Sequence, residues 1–132
     1  MALSINDGKA TPVAHVFTQD AQQNGADPAE YVNRSNVNGP SFWERIKVWA
    51  TIAIRGKGKN VVKVKLTRPI PGTDVNGNPA VRGTHDAVLT LLLDQQVSNE
   101  SDILDTLVLM ANLADNATFR TQVKQLAPSL IP

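Results

Sequence analysis

Lys47, Trp49, Thr51 and Arg55 stand at odd positions of one segment, and Lys59, Lys63, Lys65 and Thr67 continue the same parity after a Gly/Lys-rich break. In β-strands that spacing sets them all on one side. Ammonium and guanidinium groups attract phosphate, hydroxyls can hydrogen-bond it, and an indole offers a flat face on which a base can stack. Eight of the thirteen Lys and Arg residues lie between Arg45 and Arg68, with no carboxylate in the interval. The partner expected for such a face is a polyanion. Lysines on exposed strands also protect sheets from edge aggregation, and the Trp49 ring could equally pack beside Trp43. The missing carboxylates favour anion binding.

Other chemistry is sparse. His15 and His85 fall in separate strands without a nearby acid and serine at triad-like spacing, and read as ordinary strand residues. The segment Asp74-Val75-Asn76-Gly77-Asn78 has a calcium-loop flavour, but Pro79 and His85 occupy the positions that need Gly and Glu, so it reads as a turn. Gly56-Lys57-Gly58-Lys59 lacks the spacing and hydroxyl of a phosphate-binding loop. The absence of cysteine removes disulfides, thiolate metal sites and thiol nucleophiles. Neither an enzyme, a metal site nor a cofactor is expected. The N-terminus has no signal-peptide pattern and the apolar runs are too short for a membrane span, so no membrane association is expected.

The elements that must position the cations follow from hydrophobic period. A chain of 132 residues with net charge +1 suits a single domain, residues 1–132, whose basicity is local. Residues 3–6 and 12–18 read as an edge hairpin turning at Asp7-Gly8, and residues 30–34 as a short strand in a loop-rich stretch. Two long strands at about residues 42–55 and 60–68 carry Ile46, Val48, Ile52, Ile54, Val62, Val64 and Leu66 on even positions, opposite the cations. Residues 69–79 read as a long exposed loop, and residues 82–93 as another strand. From residue 98 the period becomes helical, with Ser98 or Asn99 as cap and Glu100, Asp102 and Asp105 favoured by the macrodipole. A second helix begins near Thr118 and stops before Pro128. Strands followed by helices give an α+β fold: a main antiparallel sheet over residues 1–97 and helices with a tail over 98–132. Ile103, Leu104, Leu107, Val108, Leu109, Met110, Leu113 and Ala114 make the first helix apolar over most of its circumference, more than one sheet needs. That excess predicts a second subunit and an obligate dimer.

The whole layout resembles the coat proteins of the single-stranded RNA bacteriophages, the levivirus family. The resemblance rests on the N-terminal hairpin, the Arg45 to Pro69 block with its Lys-Val-Lys-Leu-Thr-Arg-Pro segment, Val75-Asn76-Gly77, Pro79-Ala80-Val81-Arg82 and the closing Gln125-Leu126-Ala127-Pro128. It implies a sheet of about five or six antiparallel strands and a homodimer in which the two C-terminal helices cover the partner's sheet. It further implies an icosahedral T=3 shell whose inner sheet face holds genomic single-stranded RNA. The virion is then the location, with the bacterial host cytoplasm during assembly. In the family the same face binds an operator hairpin at the replicase start and acts as a translation repressor, and the loop at residues 69–81 adapts to the symmetry axes.

Carried over residue by residue, the family's adenine pocket falls on Trp49, Thr51, Lys63 and Lys65. Thr51 and Lys65 keep its chemistry, Lys63 puts a cation where relatives have a hydroxyl, and Trp49 replaces a small side chain. The stacking Tyr falls on Thr84, with Asp86 where relatives carry Asn or Asp. RNA packaging through Lys47, Arg55, Lys59, Lys63 and Lys65 is therefore expected ahead of sequence-specific repression. The competing expectation is a non-viral RNA- or DNA-binding β-domain that forms oligomers without a shell.

Overall fold

The computed structural model describes residues 2–53, 58–94 and 99–130, with side chains through residue 126 of the last helix. The chain divides into two compact units, Met1–Leu93 and Asp94–Pro132. The first is a six-stranded sheet in sequence order: β1 (Ala2–Asn6), β2 (Ala14–Ala21), β3 (Ala29–Asn33), β4 (Glu44–Thr51), β5 (Lys59–Thr73) and β6 (Pro79–Asp94). Every strand therefore pairs with its chain neighbour, the arrangement that short turns permit between antiparallel strands.

β4 and β5 meet odd with odd and even with even, so their parities agree face by face, whereas β3 is offset from β4 by one residue. β4 and β5 pair Arg45↔Thr67, Lys47↔Lys65 and Trp49↔Lys63, while Ile46↔Leu66, Val48↔Val64 and Ala50↔Val62 alternate with them. β3 continues both faces, with Glu30↔Lys47 and Val32↔Arg45 on the basic side and Tyr31↔Ile46 and Asn33↔Glu44 on the other. A bulge between Gln19 and Ala21 separates the β2–β3 pairs Gln19↔Tyr31 and Ala21↔Glu30. Where β3 has ended, the Gln23 side-chain amide takes over its task. Its Nε2 donates to the Ala50 carbonyl at 2.9 Å and its Oε1 accepts from the Ala50 amide at 3.0 Å, so β4 keeps a partner next to Trp49 and Thr51.

The strands reach further than hydrophobic period suggests. β5 runs through Pro69 and Pro71 to Thr73, where a loop over residues 69–79 was expected. The pairing with β4 stops at Thr67, so prolines beyond it interrupt no β4 ladder. The actual turn is short: the Asp74 amide donates to the Asn78 carbonyl at 2.9 Å, and the Asp74 carboxylate accepts from the Asn76 and Asn78 amides. Gly77 sits at φ 81°, a left-handed conformation that suits glycine.

In the second unit, α1 (Glu100–Asp115) is capped by Asn99, whose side chain accepts from the Asp102 amide at 2.9 Å. Asn116 then caps α2 (Ala117–Leu130) by accepting from the Phe119 amide at 3.1 Å. α2 continues past Pro128, where a stop was expected; so near a helix end the missing N–H removes one bond rather than a run of them. No residue of α1 is buried, and Leu109 is 71 % exposed. Among the described residues the buried apolar side chains are Phe17, Val32, Phe42 and Ile46, of which Val32 alone is fully buried, a small core for a chain of this length.

Candidate nucleic-acid interface

Alternation along β4 and β5 assembles the cations anticipated from sequence. Lys47 stands opposite Lys65 and Trp49 opposite Lys63, with the Lys63 ammonium 6.0 Å from the Trp49 ring centroid. Trp49 thus lies among charges on the basic face, and Trp43 is occupied elsewhere: its indole N–H donates to the Asn36 carbonyl at 3.1 Å and Arg34 covers its ring at 5.2 Å. Thr51 and Thr67 flank the group at either end of the β4–β5 register. Lys59 opens β5 and is exposed. Thr84 and Asp86 lie on β6, and Asp86 reaches Lys65 at 3.8 Å. Arg55 lies outside the described residues.

The face is less purely cationic than the β4–β5 sequence suggests. Glu30 of β3 binds Arg45 at 2.8 Å, and Asp86 approaches Lys65 from the other flank. These acids come from strands outside the carboxylate-free interval, which is why sequence distance concealed their pairing with Arg45 and Lys65. Arg45 is largely matched, the Lys65–Asp86 contact is loose and half exposed, and Lys63 projects from the sheet as an exposed cation. Salt screens such exposed pairs, so a phosphate can compete for Lys65. The patch offers Lys47, Lys63 and Lys65 around one indole face, a geometry suited to a flexible phosphate backbone with a stacked base.

Arg68, the last cation of the basic block, turns to the opposite face. Its Nε lies 3.3 Å from a Glu44 oxygen. There His15 is no ordinary strand residue, as its sequence surroundings suggested: its Nδ1 is 2.6 Å from Glu44 and its Nε2 3.4 Å from Asp7. Asn33, buried, donates to the same Glu44 oxygen at 2.9 Å. The signal available in the sequence was Glu44 itself, a carboxylate with the parity of Ile46 and Val48 that would need partners on an apolar face. Hydrogen bonding to Glu44 raises the His15 pKa above its ordinary 6.5, against the opposing effect of desolvation, with further support from Asp7. The Asp7 carboxyl is held at about 2, chiefly by the Val13 amide, with the Lys9 amide and His15 adding to it. Among the described residues no cluster of His, Asp and Glu could hold a metal ion, and no helix is long and apolar enough to cross a membrane.

A sheet in sequence order followed by two helices is also the fold of RNA-phage coat proteins. The chain superimposes on a subunit of the virus-like particle of bacteriophage NT-214 with TM-score 0.77 and 19 % identity, covering 95 % of this chain and 94 % of that one. The virus-like particle of Beihai levi-like virus 21 gives TM-score 0.75 and 17 % identity over 99 % and 94 % of the two chains. The bacteriophage GA protein capsid gives 0.66 and 17 % over 94 % and 93 %. No protein-family model matches the sequence and no curated protein matches it. The fold is thus that of a levivirus-type coat protein, present along nearly the full chain.

Proposed function

We propose that this chain is the structural capsid subunit of an RNA bacteriophage, forming homodimers that close into an icosahedral shell around single-stranded RNA. The observation that carries it is full-length likeness to subunits of virus-like particles combined with a basic face centred on Lys47, Lys63 and Lys65. Dimerisation is supported by what the single chain leaves uncovered. α1 buries no residue although Leu104, Leu107, Val108, Leu109, Met110 and Leu113 crowd it, and apolar burial is the main source of stability in folding and obligate association. Helices laid across a partner's apolar sheet face, with its Val48, Val64 and Leu66, would bury both surfaces.

RNA then lies on the basic face. Binding is dominated by phosphate contacts and so falls with salt, with Trp49 adding sequence-tolerant stacking. A hydroxyl at Thr84 leaves no second ring beside it, and packaging is favoured over repression through an operator hairpin. The subunit's location is the virion, after assembly in the host cytoplasm.

Electron microscopy of the purified protein, read together with its absorbance ratio, tests this. Closed particles with the ultraviolet signature of nucleic acid are expected. Small soluble species that bind RNA without forming particles would replace it with a shell-free nucleic-acid-binding domain.

A further inference from the structure

The polar cluster on the apolar face takes no part in RNA binding as assigned above, yet it joins the turn after β1 with β2, β3, β4 and β5. The N-terminal hairpin extends past its neighbour: β1–β2 pairing continues from Ala2↔Thr18 to Asn6↔Ala14, whereas β2–β3 pairing runs only from Ala21↔Glu30 to Thr18↔Val32. The overhanging end is closed internally by Asp7, whose amide donates to the Val13 carbonyl at 3.0 Å and whose carboxylate accepts from the Val13 and Lys9 amides. His15 lies in this overhang and reaches over to Glu44 on β4.

We propose that His15 is a proton-operated latch that fastens the end of the N-terminal hairpin to β4 when its imidazole is doubly protonated and lets it go when one proton is lost. The geometry is that of one ring between two carboxylates, Glu44 at 2.6 Å and Asp7 at 3.4 Å. An imidazolium has two N–H donors and satisfies both. A neutral ring has a single donor, so a nitrogen lone pair must face one of the carboxylates. The charged and polar groups that surround it are Asp7 and Lys9 from the hairpin turn, Glu44 from β4 and Arg68 from β5, with the amide of Asn33 from β3. Once the ring is neutral, no imidazolium bridges Asp7 and Glu44: Lys9 still meets the Asp7 Oδ2 that faced the ring, at 3.3 Å, and Arg68 meets only the Glu44 oxygen turned away from it, so among the described residues nothing charged ties the hairpin end to β4.

The sign follows from linkage. A His raised above its unfolded value of 6.5 contributes its full stabilisation below that pH and loses it as pH rises through the higher folded value. The latch is therefore closed in mild acid and open in mild alkali. It borders a groove of about 220 Å³ lined by Ile5, Phe17, Ile46 and Leu66, so its opening alters the apolar face of the sheet. The latch itself does not depend on shell formation, and it is read out separately from particles and RNA.

Hydrogen exchange of the intact protein at about pH 5.5 and about pH 8.5, corrected for intrinsic rates, tests it together with an NMR titration of the two histidines. Hairpin amides at Asp7, Val13 and His15 should lose protection several-fold at the higher pH while those of Val64 and Leu66 keep theirs. His15→Gln should abolish the pH step and His85→Gln should leave it in place. Asp7→Asn, which retains the oxygen that closes the turn, should move the step to lower pH. Equal hairpin protection at both pH values, a step that persists in His15→Gln, or a His15 titration at or below 6.5 would overturn the latch.

Discussion

The two faces of β4 and β5 are built from the same strands, and both carry cations, but they treat charge in opposite ways. On the apolar face Arg68, His15 and Asn33 converge on Glu44, whose side chain is only 14 % exposed, so each polar group finds its partner within the chain. On the other face Lys63 is exposed, and Lys65 has a carboxylate only at 3.8 Å. Burial forces pairing, because an unpaired ion there costs several kcal/mol (about 3–5), whereas water lets a cation wait for an external anion. The contrast separates a face that organises the fold from one open to an external anion, the face proposed for RNA.

The strongest way to break this comparison is to reverse charge on the open face. Lys63→Glu with Lys65→Glu is expected to remove nearly all packaged RNA, measured by absorbance ratio and extraction, while circular dichroism and the dimer mass stay unchanged. Packaging that survives would move the RNA elsewhere. On the apolar face the same kind of change should act on stability instead. Glu44→Ala strands His15, Asn33 and Arg68 together and should cost about 2–4 kcal/mol in urea unfolding, without weakening RNA binding by the protein that remains folded. Trp49→Ala should lower affinity for single-stranded RNA by about 1–3 kcal/mol, the usual worth of one base stack, with little change in the slope of affinity against salt. A Lys47→Ala variant should do the reverse, reducing that slope by about 0.7. The smallest effect is expected in acid. The Asp7 carboxyl lies at about 2 in the folded chain against 3.8 when unperturbed, so its contribution is complete above 3.8 and is lost as pH falls through about 2. Asp7→Asn should flatten acid unfolding over that range.

The parity of Lys47, Lys63 and Lys65 against Ile46, Val64 and Leu66 was legible in the sequence because side chains in a strand alternate whatever the register. So were the six strand segments, a helix cap at Ser98 or Asn99, of which the structure uses Asn99, and the unusually apolar α1. The reach of β5 through Pro69 and Pro71 was not, since a proline's cost depends on whether a neighbouring strand needs its N–H, and β4 had already ended. Glu30 escaped notice for a related reason, and so did the pairing of Asp86 with Lys65, although the resemblance had set Asp86 at the site: both acids enter the basic face from flanking strands, and sequence patterns describe one strand at a time. The His15–Glu44 contact spans 29 positions. It depends on how far β2 overhangs β3, which a bulge and a loop determine.

Ultraviolet crosslinking of RNA within intact particles, followed by mass spectrometry of the crosslinked peptides, tests the division of the two faces most directly. Crosslinks should concentrate on β4 and β5 segments holding Lys47, Trp49, Lys63 and Lys65. Crosslinks concentrated instead at His15, Glu44 and Arg68, or spread without preference over both faces, would contradict it.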